Sequence, residues 1–110
     1  MNKKYELTAE TIEIDGRILH RIRALRDFSD VKAGDIGGFI QKESNLSHED
    51  NCWIYDDAII CDDAEVYNYA VVGNHAIVYE NAVICNYAIV SGYTRICNNR
   101  YVGGTDWINE

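Results

Sequence analysis

The chain has 110 residues, with 18 acidic against 10 basic side chains and a formal net charge of -8. That length holds one domain with a modest core and leaves no room for a second independent one. The imbalance is uneven, since residues 1–51 carry 8 basic and 10 acidic side chains while residues 52–110 carry only Arg95 and Arg100 against 8 acids; an acidic field of this kind repels nucleic acid and anionic membrane, so neither is expected as a direct ligand.

The opening Met-Asn-Lys-Lys runs into Tyr5-Glu6-Leu7 rather than an apolar stretch. No signal peptide or membrane span is therefore expected, and a cytoplasmic location is. Cys52, Cys61, Cys85 and Cys97 form no CxxC pair and have no histidine at ligand spacing. They read as reduced thiols, with no metal site and no cofactor expected.

In chain order, the first predicted element is a β-hairpin. Thr11-Ile12-Glu13-Ile14 and Arg17-Ile18-Leu19-His20-Arg21-Ile22 flank Asp15-Gly16, a dipeptide suited to a two-residue turn. Gly34, Gly37 and Gly38 then punctuate the run from Val31 to Ile40. Residues 1–45 are expected to form a β capping subdomain and residues 46–110 a β-solenoid, packed as one unit because no linker separates them.

From Cys52 onward the chain divides into sixes: CWIYDD, AIICDD, AEVYNY, AVVGNH, AIVYEN, AVICNY, AIVSGY, TRICNN, RYVGGT and the truncated DWINE. The third place is always aliphatic, at Ile54, Ile60, Val66, Val72, Val78, Ile84, Val90, Ile96, Val102 and Ile108. The first place is Ala at Ala58, Ala64, Ala70, Ala76, Ala82 and Ala88. Side chains alternate along a strand, so both places point inward. Places four to six are rich in Asp, Asn and Gly, which tolerate the left-handed backbone of a corner. A period of six is incompatible with a helical stripe and marks a stacked β-helix.

The pattern over residues 52–110 resembles the hexapeptide repeat of left-handed parallel β-helix proteins. The resemblance implies an all-β, left-handed coil with three short strands per turn, and hence about three coils at 52–69, 70–87 and 88–105. The stretch beginning at Leu19 and containing RIRALRDFSDVKAGDIGGFIQKESNLSHEDNCWIY is similar to the N-terminal part of an uncharacterised bacterial and phage family that joins such a head to a variable number of repeats.

Stacking three hexads per coil aligns Trp53, Val71, Ile89 and Trp107 in one outward column, and Ile59, Ile77 and Arg95 in another. Apolar outward columns are expected to be covered, either by the N-terminal segment or by another copy, and Trp53, Val71, Ile89 and Trp107 are the candidate homodimer interface. The inward Ala place turns into Thr94, Arg100 and Asp106. A charge does not stay unpaired in a dry core, so the third coil is expected to be the last, frayed or used for pairing.

Asp56, Asp57, Asp62, Asp63 and Glu65 cluster at two corners of the first coil. Carboxylates on a rigid scaffold can imitate a phosphate array and occupy a groove lined by Lys and Arg, which makes them candidate partner-binding residues; corner propensity and solubility are the plainer explanation. Hexapeptide acyltransferases use a histidine base, so His75 is the catalytic candidate. It stands without a basic cluster for cofactor phosphates. A three-histidine zinc centre fits poorly, since His20 and His48 lie outside the regular repeats.

The leading expectation is a non-enzymatic, acidic β-solenoid that self-associates and engages a protein partner. A narrower form, guided by the phage-like resemblance, is an inhibitor of the anti-defence or anti-CRISPR type that blocks a basic nucleic-acid-binding host protein. An acyltransferase-like enzyme and a structural assembly protein are the alternatives.

Overall fold

The computed structural model describes residues 3–110. Asp15 and Gly16 both adopt positive φ, 51° and 82°, as the tightest hairpin turn requires. They join β1 (Tyr5–Ile14) to β2 (Arg17–Ala24) in antiparallel register. β2 in turn pairs antiparallel with β3 (Ile36–Ile40). β3 is the joint of the molecule, because its other edge pairs in parallel with β5 (Ile59–Ile60).

The hexads form the remaining strands: β4 (Trp53–Ile54), β6 (Glu65–Val66), β7 (Val71–Val72), β8 (Ile77–Val78), β9 (Val83–Ile84), β10 (Ile89–Ser91), β11 (Arg95–Ile96), β12 (Tyr101–Val102) and β13 (Trp107–Asn109). Three walls result. Wall I stacks β3, β5, β8 and β11, while wall III stacks β4, β7, β10 and β13. Wall II stacks β6, β9 and β12 above a parallel bridge from Leu46 to Val66. The molecule is an all-β parallel solenoid.

Each wall holds four levels, so the solenoid has four turns rather than the three expected. The additional turn lies at the N-terminal end. Ile40 sits beneath Ile60 and Leu46 beneath Val66, inside and just beyond the segment assigned to the cap. At the other end the third coil is not the last, because β13 lies in register on β10. Arg100 and Asp106 are exposed, whereas Thr94 is buried with its hydroxyl donating to Ser91 O at 2.7 Å.

The inward rows pack as the hexad pattern dictates. Ala58, Ala64, Ala70, Ala76, Ala82 and Ala88 are fully buried, as are Ile54, Ile60, Val72, Val78, Ile84, Val90 and Ile96. Alternating a methyl with a branched side chain fills a narrow prism without voids. Among the described residues no helix is long and apolar enough to cross a membrane.

The outward column of wall III divides. Trp53 is 1% exposed because the N-terminal segment folds over it, with the Phe28 ring 5.2 Å and the Tyr5 ring 6.3 Å from its own. It is therefore not a surface residue in this fold. Ile89 at 41% and Trp107 at 72% remain exposed. Wall I is covered in its lower part by the hairpin, where Leu19, Phe39 and Cys61 form a second small core with Ile12, Ile59 and Tyr79.

Gly37 and Gly38 allow this close docking. A Cβ at Gly37 would lie 2.6 Å from Ile54 O, and one at Gly38 would lie 2.5 Å from Ala58 O. Gly38→Ala is accordingly expected to lower stability by pushing β3 off the prism. Ile84→Ala, which empties a buried site, is expected to cost about 2–5 kcal/mol. The exposed Tyr87→Ser change should stay within about 0.5 kcal/mol. Urea unfolding of the three variants checks the order.

Candidate interaction surfaces

The five carboxylates of the first hexads are divided between two corners and wall II, and most are already engaged. Arg17 of the hairpin donates to Asp62 through Nε at 2.6 Å and Nη2 at 3.3 Å. Arg21 Nη2 lies 3.2 Å from Asp57 Oδ1, and Lys42 Nζ lies 2.6 Å from Asp63 Oδ1. Asp56 Oδ2 accepts the Asn74 backbone N–H at 3.0 Å. Glu65 lies apart, exposed on wall II. Three basic side chains of the N-terminal half thus pair with three carboxylates of the acidic solenoid within one molecule, a pairing that composition by halves hints at but cannot locate.

The corner residues explain why Asp is there at all. Every sixth residue from Asp50 to Gly104 has positive φ, including Asp56 at 58°, Asp62 at 56° and Asn74 at 55°. Asp and Asn adopt this conformation at lower cost than other non-glycine residues. Their side-chain oxygens then accept the N–H of the residue eighteen positions on, as Asp62 does from Glu80 at 2.9 Å.

His75 sits at the corner between walls III and I. It is exposed, and its ring stacks on Tyr93 with centroids 5.1 Å apart and planes 13° from parallel. At the other corner of wall III, Tyr69 stacks on Tyr87 at 5.1 Å and 7°. Between these stacks stand Val71, Ile89 and Trp107 in vertical register. Exposure reaches 63% at Tyr87 and 74% at Tyr93. The segments 66–79 and 81–94, which supply most of this surface, contain no Asp, Glu, Lys or Arg in a chain that has 28 of them.

Two buried polar contacts at the closed end escape sequence reading. Lys4 is fully buried, and its ammonium donates to Cys52 O at 2.6 Å and Asp50 O at 3.2 Å, with burial holding its pKa below the ordinary lysine value. Tyr5 donates its hydroxyl to Glu43 O at 3.0 Å and also to Leu46 O, while its ring stacks on His48 at 4.1 Å. These side chains satisfy carbonyls of the first turn, which has no turn beneath it. Only the fold identifies them, because a Lys four residues from the start carries no local signal of burial.

All four cysteines are free, with Cys52, Cys61 and Cys85 buried and Cys97 partly exposed. Burial pushes the Cys61 thiol up to about 11, so it is protonated near neutral pH and poorly nucleophilic. Among the described residues no group of three or more His, Cys, Asp or Glu side chains is placed to hold a metal ion.

The chain carries the repeat and the stacked architecture of hexapeptide-repeat β-helix proteins. No family model matches it. Over 62 residues it is 44% identical to the "Uncharacterized acetyltransferase YdcK" of Escherichia coli (strain K12), a match that takes in 49% of this chain and 19% of that protein. The chain thus covers about a fifth of the length of that relative.

The ion pairs set a pH dependence. Arg17 holds the Asp62 carboxyl below the usual range, and hydrogen bonds from His48 and Lys3 do the same for Glu43. Both contributions are complete above the unfolded carboxyl values of roughly 4 and disappear as pH falls through the lower folded values. Acid should therefore destabilise the protein below about pH 4. Asp62→Asn is expected to flatten that limb of the curve, as read by thermal unfolding between pH 2 and 7.

Proposed function

We propose that the protein is a non-enzymatic β-solenoid interaction module that pairs with a second copy of itself through wall III and presents the resulting rigid assembly to a protein partner. The observation that carries this reading is the uncharged aromatic surface of Tyr69, Tyr87, Ile89, Tyr93 and Trp107. Exposed apolar patches flanked by aromatics are the usual composition of protein interfaces. The occupant follows from charge. Two copies with net charge -8 repel each other over most of their surfaces, and wall III, whose segments 66–79 and 81–94 hold no charged side chain, is where they can meet with few like charges opposed.

The narrower form, in which the acidic corners imitate phosphates and block a basic nucleic-acid-binding host protein, has the number of carboxylates in its favour. The pairing of Asp57, Asp62 and Asp63 with Arg21, Arg17 and Lys42 respectively weighs against it, since a neutralised carboxylate offers less to an incoming Lys or Arg. That form predicts that charge reversal at Asp56 and Glu65 removes partner binding.

An acyltransferase-like activity is the second reading, and the printed name of the matched Escherichia coli protein favours it. His75 would serve as its base. Against it, the ring of His75 lies on Tyr93, and the Arg21 guanidinium at the foot of the same corner is already paired with Asp57.

The readings separate in solution. Light scattering at tens of micromolar is expected to show a dimer for the wild type and a monomer for Ile89→Glu, with the thermal midpoint preserved within a few degrees. A monomeric wild type would contradict self-association. Thermal stabilisation by coenzyme A, lost in His75→Ala, would replace the module with the enzyme.

A further inference from the structure

The outward column of wall I runs Phe39, Ile59, Ile77, Arg95 from the closed end upward. The hairpin covers its lower part. Phe39 is 5% exposed beneath the Arg21 guanidinium, which lies 4.1 Å from the ring centroid. Above the hairpin tip the cover ends, and a cleft of about 280 Å³ remains between the hairpin and the wall. Ile14 and Leu19 form its hairpin side, and Ile59, Ile77 and Tyr79 its wall side, with Arg95 at the upper rim.

Two guanidinium groups border this space, and they differ. Arg17 is held by Asp62 through two hydrogen bonds and lies 4.0 Å from Asp15. Its charge is spent. Arg95 has no hydrogen bond or ion pair among the described residues, although it belongs to a chain with an excess of carboxylates. It interrupts an otherwise apolar column directly above Ile77.

We propose that this cleft binds a small monocarboxylic acid with a short apolar chain, its carboxylate on Arg95 and its chain lying over Ile77 and Ile59. A guanidinium fork matches a carboxylate in two parallel hydrogen bonds. The distance from Arg95 to Ile59 is two levels of the stack, roughly 9–10 Å, which sets the length available to the chain. Aliphatic side chains on both sides of the cleft gain from the water that such a chain displaces. A phosphate ester is the poorer match, because Asp15 borders the same space and Asp62, Asp63 and Glu80 stand at the adjoining corner, where they oppose a dianion more than a monoanion.

This site is separate from wall III, so it stands or falls independently of the interaction-module reading. Titration with hexanoate, followed by the methyl signals of Ile59 and Ile77, tests it. Saturable shifts confined to the cleft are expected, with a dissociation constant on the order of 1 mM for so small a ligand. Arg95→Gln, an exposed substitution, is expected to weaken binding at least tenfold while leaving the spectrum folded, and hexan-1-ol is expected to bind at least tenfold more weakly than hexanoate. Linear shifts that never saturate, equal affinity in Arg95→Gln, or equal affinity for hexan-1-ol would each overturn the assignment.

Discussion

One constraint organises the molecule: a left-handed residue at every sixth position, from Asp50 to Gly104, turns the backbone at each corner and sets the register of the turns above and below. Such a conformation costs a non-glycine residue roughly 1–2 kcal/mol. The cost is offset where Asp, Asn or Glu occupies the site and its side-chain oxygen accepts the N–H one turn higher. Asp56 serves Asn74 and Asn74 serves Gly92, Asp62 serves Glu80 and Glu80 serves Asn98, and Asn68 serves Asn86 while Asn86 serves Gly104. Three side-chain ladders thus run up the three edges of the prism. Because the chain advances by eighteen residues per turn in these ladders, inward Ala and aliphatic rows lie vertically on themselves, and outward residues line up as surfaces.

The N-terminal segment completes what the ladders cannot. The first turn exposes backbone carbonyls with no turn beneath them, and Lys4, Tyr5 and Arg21 supply the donors, the last to Gly37 O and Asp56 O at 3.0 Å each. The same segment brings Arg17, Arg21 and Lys42 against the acidic corners. A polar network that is satisfied in this way fixes the orientation of the hairpin on wall I. That orientation in turn creates the cleft beneath Arg95 and leaves Ile89 and Trp107 of wall III uncovered.

The repeat region was legible because its signal is local and repeated: place three is aliphatic in every hexad from Ile54 to Ile108, and each outward column follows by counting. The stacks of Tyr69 on Tyr87 and of His75 on Tyr93 follow from the same counting. The first turn was not legible. Ile40 and Leu46 are six apart, but Leu46 and Ile54 are eight apart, so two extra residues break the period and hide a turn that pairs at a spacing of twenty, Ile40 with Ile60 and Leu46 with Val66. The burial of Trp53 and the pairing of Asp57, Asp62 and Asp63 were also hidden, since both depend on where a hairpin distant in sequence docks. The acidic cluster looked like a surface for a partner because its own partners lie 21 to 45 residues away.

The central claim is the eighteen-residue vertical register of the prism. Scalar coupling across hydrogen bonds reads it directly in isotopically labelled protein. The structure requires the Gly73 amide nitrogen to couple to the Val90 carbonyl carbon, and His75 to Gly92, through bonds of 2.8 and 2.9 Å. Coupling of the Gly73 amide to a carbonyl a few residues away in sequence, or to any strand other than β10, would contradict the stack and the surfaces derived from it.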